Sequence, residues 1–299
     1  MINKKIKLSV NSGFALNRFT KNDEFISFVK NYLKIDHIQF TSDFLMLNLN
    51  KQLIKKNIFD LEKSLTKNNI KVNSTLTGGF TRLNHLAHPD KSIQNFWIEW
   101  FKNFFKISKY LGANYSGSHL GILSYEENKN NFKILQNRLI KNWLILSEYA
   151  YKINLKGIIW EPMSISREFG ETINKTKKID YLLNKNSKCP FYLCLDIGHG
   201  DINSKNPINY NPYKWLETFN KKSPVIHLKQ VIKNNFNHLG FTKKNNKEGL
   251  INKKKVLSYF DKKDLNNIEF ALELSFKERD PIDRDLKKNV KESVSYWKN

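Results

Sequence analysis

Apolar residues along this chain fall into two alternating rhythms. Short runs that suit β-strands occur at residues 6–10 (IKLSV), 37–42 (HIQFTS), 71–77 (KVNSTLT), 114–119 (NYSGSH), 157–162 (GIIWEP), 192–197 (YLCLDI), 224–230 (PVIHLKQ) and 269–276 (EFALELSF). Their starts lie about 30 to 45 residues apart, enough for one crossover helix in each interval. Between them the apolar period lengthens to that of a helix. One helix is predicted to begin at Asp90, after Pro89, carrying Ile93, Phe96, Trp97, Trp100, Phe101, Phe104 and Phe105 on one stripe and stopping at Gly112. A second is predicted from Glu127 to Ile153, with Phe132, Leu135, Leu139, Trp143 and Leu146 on one side. Both stripes are read as core-facing.

Eight strand–helix steps predict an α/β fold, a single (β/α)8 TIM barrel over residues 1–299, in preference to an open doubly wound sheet. No Pro/Gly/Ser-rich linker, repeat or low-complexity segment divides the chain. The N-terminus turns polar at Asn11 before an apolar leader can accumulate, and no run of about 18 apolar residues occurs. The expectation is a soluble, cytoplasmic protein with no membrane partner. Cys189 and Cys194 match neither a zinc pair nor a CxxC redox motif, so they are read as buried, reduced thiols.

A net charge of +23 brings nucleic acid to mind, because clustered cations release counterions from phosphates. Only six of the 51 basic residues are Arg, however, and Lys is spread over every helix. The densest tracts, Lys243–Lys244, Lys247 and Lys253–Lys255, are read as solvated faces rather than a polyanion site. No GxGxxG or P-loop is present, which argues against a nucleotide cofactor.

The chemistry shows at the ends of the last four strand runs. Glu161, Asp196, His227 and Glu273 each stand late in an apolar segment. Each has an ordinary alternative, such as a helix cap or a surface ion pair. Four on successive strands are better explained by a shared partner, because an unpaired buried charge costs several kcal/mol. Strand C-terminal ends form the active face of such a barrel. Three carboxylates and one imidazole suit a single divalent ion, Mn²⁺ first, with Mg²⁺ or Co²⁺ as alternatives. Such an ion acidifies a C–H beside a carbonyl, and Glu161 and Glu273 are the candidate acid–base pair.

With those residues in place, the chain resembles the xylose-isomerase-like barrels, among them the sugar and sugar-phosphate 3-epimerases and ketose isomerases. The segments WEP, DIGH, IHLKQ and LEL carry the resemblance. It implies that Glu161, Asp196, His227 and Glu273 are metal ligands, that the two glutamates also shuttle a proton, and that His199 contacts a substrate oxygen. A basic residue usually stands six positions after the ligand histidine, and here it is Lys233 rather than Arg. The segments 77–90, 116–124 and 160–168 are similar to a narrower branch, the erythrulose-1-phosphate 3-epimerases.

A phosphorylated substrate would need a cation at the barrel mouth, for which Arg82 and Arg167 are the first candidates and Arg18 and Lys229 the next. His119 is a further substrate-binding candidate, since its flanking Gly117 and Gly121 allow a ligand to approach the backbone closely. His85 and His88 read equally well as loop-stabilising residues. The implied partner is a small ketose or ketose phosphate, with assembly into a homo-oligomer left open. Two rival readings remain: an abasic-site endonuclease, whose D-x-H pair has no counterpart after His227, and a non-catalytic barrel that binds a sugar acid or nucleic acid.

Overall fold

A computed structural model describes residues 6–79, 83, 85–200, 204–232, 235–261, 264–265 and 267–298. Eight parallel strands close into a barrel: β1 Lys7–Asn11, β2 His37–Thr41, β3 Lys71–Leu76, β4 Tyr115–His119, β5 Gly157–Glu161, β6 Phe191–Asp196, β7 Val225–Leu228 and, after an inserted hairpin, β10 Glu269–Leu272. Around the barrel the order is β1-β10-β7-β6-β5-β4-β3-β2. This is the (β/α)8 barrel that the alternating rhythm predicts, with each strand within two residues of its predicted start. The hairpin, β8 Gln230–Ile232 and β9 Asn235–Leu239, pairs antiparallel at the top of the barrel, where the sequence reading had β7 run on to residue 230 and had no further strand there.

The long helix after β3 spans Lys91–Tyr110 and is capped by Asp90, whose side chain accepts from the Ser92 N–H. Trp97, Ile98, Phe101, Phe104 and Phe105 are buried beneath it, while Phe96 is 61% exposed. Phe96 is one residue, about 100° of helical turn, from Trp97, which rotates it off the core stripe. Its ring packs edge-on against Trp97 instead. The second predicted helix is two, Tyr125–Asn130 and Phe132–Lys152, broken at Asn131. Its inner face buries Leu135, Leu139, Trp143 and Leu146, and the Trp143 indole donates to the Leu120 carbonyl at 2.8 Å.

Inside the barrel, Leu76, Ile159, Cys194, Val225 and Ala271 form an apolar layer. Burial pushes the Cys194 thiol up to about 12 and the Cys189 thiol to about 11, so both remain protonated and inert. Gly117 has a structural role rather than the ligand-admitting one expected of it. A Cβ there would collide with the Ile159 backbone of the neighbouring strand. The lysine tracts fall on two short helices, Lys243–Glu248 and Lys253–Leu257, with Lys243, Lys244, Lys247, Lys254 and Lys255 exposed. No helix among the described residues is long and apolar enough to cross a membrane.

Candidate metal centre and active site

Above the apolar layer, four strand ends deliver charge to one point. Glu161 ends β5, Asp196 ends β6, His227 lies near the end of β7, and Glu273 follows β10 by one residue. One ligand atom from each falls within 4.8 Å of all the others. Oxygen ligands of a hard divalent ion stand about 2.0–2.6 Å from it, so donors on opposite sides of one ion are about 4–5 Å apart. The cluster has that size. Asp196 Oδ2 and Glu273 Oε2 are buried with no well-aligned hydrogen-bond donor, leaving lone pairs that a cation would fill. Donor chemistry, spacing and these open oxygens all fit a divalent metal ion.

A polar strut beneath the cluster orients the imidazole. His227 Nε2 is 2.8 Å from Gln39 Oε1, which also accepts from Asn11 Nδ2 at 2.7 Å. Gln39 Nε2 in turn donates to Ser74 Oγ at 2.9 Å, and Ser74 donates to Glu269 Oε2 at 2.6 Å. Gln39 can therefore only accept from His227. That places the Nε2 hydrogen on Gln39 and turns Nδ1 toward Glu161 Oε1 at 3.1 Å and Glu273 Oε2 at 3.4 Å. Burial opposes charge on His227, but the Glu273 and Glu161 carboxylates outweigh it and raise its pKa well above the ordinary value. Metal binding at Nδ1 would displace that proton.

Lys229, two residues after His227, is fully buried and joins the cluster from the side. Its ammonium pairs closely with Asp196 and lies 3.0 Å from both His199 Nε2 and His238 Nε2. The ammonium thus sits among one carboxylate and two imidazoles. Burial works against its charge, yet Asp196, Glu273 and Glu161 raise its pKa on balance. His199 Nδ1 faces the Pro162 carbonyl at 3.2 Å and so carries the hydrogen, leaving Nε2 to accept from Lys229. Burial keeps His199 neutral more strongly than Asp196 favours its charge. Glu273 has the opposite balance. Burial would raise its pKa, but the charges of His227 and Lys229 bring it well below the usual carboxylate range.

A cavity of about 720 Å³ opens above this floor, lined by Glu161, Glu273, His119, His199 and His238 among others. His119 pairs in register with Glu161 across β4 and β5. Arg18 also reaches the cavity, with its guanidinium engaged by Asp283 at 2.6 Å and by the Phe14 and Phe276 carbonyls. Arg167 does not line it: this side chain donates to the Leu123 carbonyl at 2.7 Å and lies over the Tyr125 ring. Lys229 lies under the cavity floor rather than at the mouth. The His88 carbonyl receives Gln94 and Arg138, and His88 N–H donates to the His85 carbonyl, so this pair braces its loop. Arg82 and Lys233 lie outside the described residues.

The comparisons with known proteins agree with this geometry. Residues 32–299 match the family model of the xylose isomerase-like TIM barrel. The chain belongs to that family. It is 36% identical over 297 residues to the D-erythrulose 1-phosphate 3-epimerase of Brucella abortus (strain 2308), covering 98% of this chain and 95% of that protein. A Rhodospirillum rubrum structure designated a candidate xylose isomerase superposes with a TM-score of 0.85 at 19% identity, covering 98% of this chain and 99% of its own. A D-psicose 3-epimerase solved in the presence of D-fructose gives 0.72 at 12% identity, covering 98% and 100%. At those identities the two structures speak for the shared barrel alone.

Sequence reasoning missed Gln39, Asn11, Ser74 and His238. The first three are uncharged and sit in ordinary strand positions, and nothing local marks them. His238 lies on the hairpin that the strand count did not contain.

Proposed function

We propose that this enzyme epimerises the carbon next to the carbonyl of a short-chain ketose phosphate, with D-erythrulose 1-phosphate as the first candidate. One divalent cation, Mn²⁺ first, would be held by Glu161, Asp196, His227 and Glu273. When bound, it supplies a Lewis acid that acidifies the C–H beside the carbonyl. The observation that carries the reading is the pair of glutamates at one cluster, on strands separated by β6 and β7, both reaching the cavity.

Glu273, held below the ordinary range by its cationic neighbours, is the base form needed to take the substrate proton. An enediolate results, and Glu161, which must enter the cycle as the protonated acid, returns its proton to the other face; Glu273 then keeps the abstracted proton, and the two exchange roles in the reverse direction. His119 and His199 line the same cavity and would hydrogen-bond sugar oxygens. Arg18 is the described cation nearest a phosphate role, and Asp283 would have to yield for it to act.

The test is an incubation of the Mn²⁺-supplemented protein with D-erythrulose 1-phosphate in D2O, read by NMR and chiral chromatography. The expected result is deuterium at C3 together with a new stereoisomer. Absence of both, across a panel of ketose phosphates, would refute the reading.

A further inference from the structure

Of the four clustered side chains, Glu273 is the least enclosed. Its side chain is 21% exposed, against 8% for Glu161 and none for Asp196 and His227. Two inner cations lie near its Oε2, but each has a closer partner. His227 Nδ1 is 3.1 Å from Glu161 and 3.4 Å from Glu273, and Lys229 pairs with Asp196 while remaining 3.6 Å from Glu273. The remaining neighbour approaches from outside. His238 Nδ1 lies 3.3 Å from Glu273 Oε2.

The ring is fixed on both sides. The Lys229 ammonium lies 3.0 Å from His238 Nε2 and 3.5 Å from Nδ1; with the closer Nε2 accepting, the ring hydrogen stands on Nδ1, the nitrogen 3.3 Å from Glu273 Oε2. The His238 carbonyl accepts from the Ser275 N–H at 3.1 Å, so the hairpin and the segment carrying Glu273 are tied together. At the hairpin's root, Leu239 pairs with Gln230. The buried Gln230 side chain holds Asn246 and both backbone groups of Ile251. The hairpin is therefore a braced support for this histidine.

We infer that His238 is a positioning residue: its Nδ1, 3.3 Å from Glu273 Oε2, steers that carboxylate oxygen into the orientation used for both cation binding and proton transfer. The inference rests on the role proposed above for Glu273. It adds the β8–β9 hairpin, through a side chain outside the four-ligand set, to the machinery of the site.

Three variants test it, because an Asn amide can replace the Nδ1–H whereas a Gln amide follows Nε2. Mn²⁺ affinity by calorimetry and kcat and KM by the epimerisation assay are the readouts. His238→Ala should weaken Mn²⁺ binding and lower kcat by about tenfold or more each, with KM changed by less than about threefold. His238→Asn should recover most of both losses, and His238→Gln should resemble the alanine variant. Wild-type behaviour of His238→Ala would overturn the inference, as would an asparagine variant no better than alanine. A loss confined to KM would make His238 a substrate contact, and abolished Mn²⁺ uptake would make it a ligand; either overturns it. A wild-type protein that binds Mn²⁺ but turns over no ketose phosphate would refute the reaction reading alone, since the Mn²⁺ affinities of the three variants still decide the role of His238. A wild-type protein that takes up no Mn²⁺ would overturn both.

Discussion

Strand β10 and the residue after it hold two glutamates four positions apart, one buried and one half-buried, and their surroundings make them chemical opposites. Both point toward the barrel axis, as the two-residue period of a strand requires. At the bottom, Glu269 meets neutral donors, Ser74 Oγ at 2.6 Å and Asn73 Nδ2 at 2.9 Å. Burial raises its carboxyl pKa despite those contacts and the more distant charge of Lys7. At the top, burial acts on Glu273 in the same direction, but the charges of His227 and Lys229 reverse the sign. Depth alone does not decide whether an enclosed carboxylate is ionised. The charge of its neighbours does.

The pH consequences have opposite signs. Glu269 has a folded pKa above its unfolded value, so its contribution to stability is complete below the unfolded value and is lost as pH rises through the folded one. Glu273 has a depressed folded pKa, so its contribution is present above the unfolded value and is lost as pH falls through the folded one. The hydrogen-bonded chain Glu269–Ser74–Gln39–His227 connects the two ends through the middle of the barrel.

The sharpest way to break this contrast is to neutralise each glutamate. Glu273→Gln, and likewise Glu161→Gln, should lower turnover by about 10³-fold or more while circular dichroism and melting still report a folded barrel. Near-normal turnover in either would remove the proton-transfer pair. Replacing the cation instead of the anion comes next. Lys229→Met leaves Asp196 buried without its partner and should cost the metal-free protein about 3–5 kcal/mol in denaturant unfolding. Added Mn²⁺ should recover much of that loss by mass action, and an unchanged unfolding midpoint would contradict the hub role of Lys229. Cutting the connecting strut should have a smaller effect. Gln39→Leu is expected to weaken Mn²⁺ affinity about 10- to 100-fold by calorimetry, through lost control of the His227 tautomer. The mildest change is at the barrel floor. Glu269→Gln should leave turnover within about twofold and raise the melting temperature at pH 8 by roughly 2–4 °C, with the gain vanishing near pH 4. A gain at acid pH instead would reverse the assignment of Glu269.

The barrel was legible because a period-two run followed by a period-3.6 run recurs eight times, and that rhythm is local. The four clustered groups were legible because a charge late in an apolar strand is a local anomaly. Their supports leave no such trace. Gln39 and Ser74 look like any polar strand residues until register brings β2 and β3 beside each other. Glu269 opens its strand, where a glutamate ordinarily reads as solvent-facing, yet it is fully buried. Lys229 read as a phosphate contact because a lysine is usually taken to reach outward, whereas one carboxylate and two imidazoles hold it under the cavity. The hairpin was missed because QVI merges with the preceding strand run and only a turn in three dimensions separates them.

The central claim is that four strand ends converge on one divalent cation. Diffraction from Mn²⁺-soaked crystals at the manganese absorption edge tests it directly. The account predicts one anomalous peak per chain, within about 2.5 Å of one atom each from Glu161, Asp196, His227 and Glu273. No peak there, or a peak held by other residues, would contradict it.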